Sequence, residues 1–121
     1  MTAQVRSLSL AIVALCTACG ESNSTDMDLA RRIENEVMSC RPDLNLDEYA
    51  RYYVRGPEDN VTGVYLFSNE ALEHLMGKRG LSQWVSDDAI PKVDDGGCSV
   101  LNVRYHEPTE TLVYASCNPD A

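Results

Sequence analysis

Histidine is scarce in this chain, with two among 121 residues, His74 and His106. A metal site needs three or four converging ligands. No His-x3-His and no suitably spaced cysteine pair stands beyond residue 19 to supply them. Both histidines therefore read as surface residues, and neither a metal nor a cofactor is expected. Catalytic fingerprints are missing too: there is no Gly-x-Ser-x-Gly elbow, P-loop or dinucleotide-binding glycine pattern. The chain reads as non-catalytic. Basic residues are few, 10 Lys and Arg against 19 Asp and Glu, and they form no patch, which argues against nucleic acid or anionic lipid as a partner. Long apolar runs are also lacking. The longest, residues 8–15, falls far short of the ~18 residues that span a bilayer.

That apolar run nevertheless has a context. One basic residue, Arg6, precedes it, and small residues follow, ending in Leu15-Cys16-Thr17-Ala18-Cys19-Gly20. The order is that of an export leader, and the last six residues resemble the lipobox of bacterial lipoproteins. Cys16 stands where that family usually has an aliphatic residue. The resemblance implies that residues 1–18 are a signal peptide and that Cys19 becomes the lipidated anchor. It also implies a protein of the bacterial cell envelope facing the periplasm, with the outer membrane favoured and the membrane itself a partner through the lipid. From the residues alone, an ordinary cleavable signal or an N-terminal membrane helix is the alternative. Cys16-x-x-Cys19 also has a redox or metal spacing, but a leader offers neither the folded setting nor the second ligand pair that such a motif needs.

Residues 19–25 then form a polar tether, and residues 26–121 a single domain of about 100 residues, which buries little more than about 60% of its unfolded surface. With Arg6 in the leader, nine basic and nineteen acidic side chains remain, a net charge of −10. Such a charge favours solubility and could steer a basic partner.

Three cysteines remain beyond the anchor: Cys40, Cys98 and Cys117. In an oxidising compartment one disulfide is expected. Cys98–Cys117 is the preferred pair because the two flank a hairpin, closing a loop worth about 3 kcal/mol. Cys40 with either of the others is the alternative. The leftover thiol, Cys40 in the preferred pairing, is expected to be buried and inert.

Periodicity predicts a helix over residues 26–40, capped by Thr25, with Leu29, Ile33, Val37 and Cys40 as one stripe and Arg32 paired to Glu36. Arg41-Pro42 ends it. Strands are expected at 46–55 and 61–67 around the turn 56–60, at 81–85, and at 98–105 and 111–117. A short helix is expected at 68–77. The sum is an α+β domain: one N-terminal helix packed on a small antiparallel sheet of four to five strands, with a short second helix.

The acidic pairs Glu58-Asp59, Asp87-Asp88 and Asp94-Asp95 have turn chemistry and lack the alternating oxygens of a calcium loop. Alternation along the first strand turns Ala50, Tyr52 and Val54 inward. It leaves Arg51, Tyr53 and Arg55 as the candidate binding surface. Three function classes follow. The first is an envelope interaction or accessory module working on another envelope protein. The second is an inhibitor of a basic hydrolase of the lysozyme kind, suggested by size, charge, export and the disulfide. The third is a small-ligand binding domain. An enzyme would require His106, Cys40 or an acidic pair to meet in one cleft.

Overall fold

The computed structural model describes residues 25–120. The expected leader, the expected lipidation site Cys19 and the expected tether up to residue 24 lie outside the described residues. Helix α1 covers residues 25–40, so Thr25 is already helical rather than a cap. Strands β1 (Tyr49–Arg55) and β2 (Asn60–Phe67) form the first hairpin, the four-residue helix α2 (Glu73–Met76) follows, and then come β3 (Ser82–Trp84), β4 (Val100–His106) and β5 (Thr111–Cys117). Among the described residues no helix is long and apolar enough to cross a membrane.

The five strands make one sheet in the order β3-β1-β2-β4-β5. Three neighbouring pairs are antiparallel. The sheet is nonetheless mixed, because β3 runs parallel to β1, with Arg51 opposite Ser82 and Tyr53 opposite Trp84. The connection explains this. β2 ends at Phe67, opposite the start of β1 at Tyr49. The link through α2 stays at that end of the sheet, so β3 must set out from where β1 does. Gly77 closes α2 with φ 97, and a Cβ there would fall on the Tyr52 hydroxyl. Only glycine fits.

Both faces of the sheet are covered. On one, Leu29, Ile33 and Val37 of α1 pack on Tyr53, Tyr65, Leu101, Val103 and Tyr105. Each such aliphatic side chain contributes about 1.5–3 kcal/mol on burial. Gly63, directly opposite Tyr53, leaves room for the Tyr53 ring to lie across the sheet. On the other face, Val54, Val64, Leu66 and Val100 lie under Ile90, with Tyr52, Met76 and Val85 packed alongside. The loop between β3 and β4 and the short helix α2 thus act as a second layer.

Cys98 and Cys117 form the disulfide, 19 positions apart in sequence. Cys40 is free, as expected, but exposed rather than buried. The buried stripe advances in steps of four (29, 33, 37), and Cys40, three on from Val37, falls off its side. Replacing Cys98 and Cys117 together by serine is expected to cost about 3 kcal/mol, read by urea unfolding. A loss under about 1 kcal/mol would mean that the Tyr49 hydroxyl, which donates to the Cys98 carbonyl at 2.6 Å, holds this corner without the covalent link.

Candidate functional site

The surface expected at Arg51, Tyr53 and Arg55 is not a surface. α1 lies over that face, leaving Arg51 8% exposed and Tyr53 0%. Arg51 donates to the carbonyls of Leu46 (2.7 Å) and Gly80 (2.9 Å) and to the Ser82 hydroxyl (3.0 Å). Its Nε lies 3.3 Å from Glu34 of α1. The same Glu34 oxygen accepts from Tyr53 at 2.7 Å and from Ser82 at 2.5 Å, and Tyr53 shares a 2.6 Å hydrogen bond with Tyr65. Burial raises the Tyr53 and Tyr65 hydroxyls far above the ordinary phenol range. Only Arg55 stays half exposed. It stacks 4.9 Å from the Trp84 ring centroid and pairs with Asp26 at 2.9 Å and Glu107 at 2.7 Å. Trp84 in turn donates to the Asp26 carbonyl at 3.0 Å. The three residues clamp helix to sheet.

A more exposed candidate surface lies between α1 and the last hairpin. Helical spacing sends Arg32, Asn35, Glu36, Ser39 and Cys40 away from the buried stripe, and the β4–β5 turn brings Glu110 and Thr111 opposite them. One shallow hollow of about 460 Å³ is lined by Glu36, Ser39, Cys40, Glu110, Thr111 and Leu112. A second of about 260 Å³ continues it past Arg32, Asn35 and Tyr105. Arg32 crosses the groove to Glu110 at 3.1 Å rather than pairing with Glu36 along the helix. Glu36 makes no ion pair among the described residues. Beyond the turn, Asp59, Glu107 and Pro108 line a further hollow. The groove is acidic and has little depth. This suits a protein surface better than a small molecule.

At the edge of the sheet, β5 carries a bulge. Arg104 stands opposite Tyr114 and Tyr105 opposite Leu112, leaving Val113 as the extra residue. Val113 and Tyr114 are both exposed. Next to them Arg41, just past α1, donates to the Ala115 carbonyl at 3.4 Å. It also reaches the disulfide, with Nη2 3.5 Å from Cys117 Sγ and 4.0 Å from Cys98 Sγ. Asp43 holds the same guanidinium at 3.2 Å. That hydrogen bond raises Arg41 above its ordinary value and holds Asp43 below the usual carboxylate range.

On the opposite face a more enclosed apolar hollow of about 270 Å³ is lined by residues that include Leu66, Leu72, Met76, Val93 and Val100. His74 is exposed. His106 is half-buried, its Nδ1 2.8 Å from the Thr109 hydroxyl, and neither histidine lines the groove that holds Cys40. Among the described residues no group of three His, Cys, Asp or Glu side chains could hold a metal ion. Glu34, Ser82 and Arg41 escaped the reading of the sequence, where Arg41 served only to end the helix. No family model matches the chain, and no curated protein or solved structure matches it either.

Proposed function

We propose that this chain is a non-catalytic, lipid-anchored module of the bacterial envelope that engages a basic surface of another envelope protein through the groove between α1 and β5. Charge carries the reading. The arginines nearest the groove are already matched, Arg32 to Glu110 and Arg41 to Asp43, while Glu36 on its wall is left over. A partner bringing Lys or Arg would complete that balance, and the net charge of the domain would speed its approach. The leader supports the location, since it resembles a lipoprotein signal ending at Cys19. Inhibition of a basic hydrolase is the narrower form of the same reading, supported by small size, acidity and the disulfide.

Lysozyme is a suitable basic probe. Binding at micromolar concentration in low salt is expected, weakening steeply as salt rises. Glu36→Lys with Glu110→Lys should reduce it at least tenfold. No binding by the unaltered protein at micromolar excess would remove the inhibitor reading. Equal binding by the double variant would remove the groove. The anchor has its own test, the intact mass of the protein made in a Gram-negative host. A chain beginning at Cys19 with acyl groups is the expected result, and a retained or unlipidated leader would overturn the localisation.

A further inference from the structure

The Cys98–Cys117 disulfide has two features that a purely structural crosslink does not require. Its two residues differ in access, Cys98 being exposed and Cys117 half-buried. A guanidinium also lies against them, closer to Cys117 (3.5 Å) than to Cys98 (4.0 Å). Arg41 is held in that position by Asp43 and by the Ala115 carbonyl. We infer that this disulfide is a thiol-exchange site, open to an incoming dithiol at Cys98 and releasing Cys117 as the stabilised thiolate.

The asymmetry assigns each atom a role. An incoming thiolate attacks Sγ of Cys98, the more exposed residue of the pair, forming a mixed disulfide there and breaking the Cys98–Cys117 bond. The electron pair of that bond leaves on Cys117 Sγ, the sulphur nearer the positive charge. A cation at this range lowers the pKa of the leaving thiol, and such a thiol leaves faster. The second thiol of the dithiol loses its proton to water and attacks its own sulphur in the mixed disulfide. This frees Cys98 as a thiolate. The dithiol ends as a disulfide, and the protein has gained two electrons. Asp43 shares Nη2 with Cys117 and tempers the charge, so its removal should sharpen the effect. The substrate class is a dithiol, small or borne on a protein. The site is independent of the acidic groove.

Dithiothreitol and the full-length chain suffice for the test. Alkylation in two isotopic forms followed by peptide mass mapping reads Cys98 and Cys117 separately from the other three cysteines. Reduction by millimolar reagent without unfolding, judged by circular dichroism, is expected. Arg41→Gln should slow it about tenfold, and Asp43→Asn should speed it several-fold. A monothiol should be trapped on Cys98. In the reduced protein, Cys117 should alkylate with a midpoint below the ordinary thiol value of about 8.5. Unchanged rates in both variants, trapping on Cys117, or a disulfide that resists the reagent until the fold is lost would each overturn the assignment. Should Arg41→Gln fail to fold, Asp43→Asn and the trapping site still decide it.

Discussion

Replacing Glu34 by alanine is expected to cost about 3–5 kcal/mol, a large part of the stability of a domain this size. The change deletes one carboxylate but disturbs three groups. Arg51, 8% exposed, loses its only ion-pair partner among the described residues. Tyr53 and Ser82 lose the oxygen that accepts both of their hydroxyls. Removing one member of a buried pair leaves the other's desolvation uncompensated, which costs more than the pair itself contributes. Glu34→Gln keeps an acceptor and should cost less, roughly 1–3 kcal/mol. Arg51→Met alone should resemble Glu34→Ala. The double variant Glu34→Leu with Arg51→Met should cost less than the sum of the single changes, because no lone charge remains. Urea unfolding of these four variants, of Glu34→Leu alone and of the unaltered protein measures all of this. A loss under about 1 kcal/mol for Glu34→Ala would mean that Leu46, Gly80 and Ser82 alone satisfy Arg51.

Raising the pH is expected to unfold the protein through the same layer. Burial first, with Tyr65 and Glu34 adding to it at Tyr53 and Glu34 adding to it at Tyr65 against the opposing hydrogen bond from Tyr53, keeps both hydroxyls neutral in the folded state well beyond the ordinary phenol value. In the unfolded chain both ionise near about 10. Above that pH the unfolded state binds fewer protons than the folded one, so stability falls as pH rises. The contribution is intact below about pH 10 and declines by ~1.4 kcal/mol per pH unit for each tyrosine, nearly 3 for the pair. Urea titrations between pH 8 and 11.5, on protein with alkylated thiols, would measure the slope. Tyr49, Tyr52 and Tyr105, also raised by burial, add to the slope, and Tyr65→Phe should lower it by ~1.4 kcal/mol per pH unit. A flat profile would show that water reaches the two hydroxyls.

The legible parts of the fold were those set by local chemistry. The stripe Leu29-Ile33-Val37, the turn at residues 56–60 and the two cysteines flanking the last hairpin each carry their own period or stop signal. α1, both hairpins and the Cys98–Cys117 bond follow from these. The misreadings came from residues whose surroundings are set far away in sequence. Arg51 and Tyr53 alternate with apolar neighbours and so mimic the wet side of a strand. They are buried because α1 brings Glu34 to meet them and β3 brings Ser82. A tyrosine hydroxyl or a guanidinium can lie inside once partners exist, and no periodicity announces the partners. The parallel pairing of β3 is equally silent, since it depends on which end of the sheet the connection stays at. The groove beside β5 was out of reach for the same reason: Glu36 and Glu110 meet only when helix and hairpin are assembled.

The two rims of the sheet differ from its middle in one shared respect. β3 is three residues long, and β5 is broken by Val113 and covered at Ala115 by Arg41. Neither presents a long run of unused backbone groups, the usual template on which identical chains zip into fibres. Copies crowded side by side are thus expected to resist pairing edge to edge. Arg41 guards that separation on one flank, and its loss should show first as turbidity in concentrated solution, before any change in the melting curve.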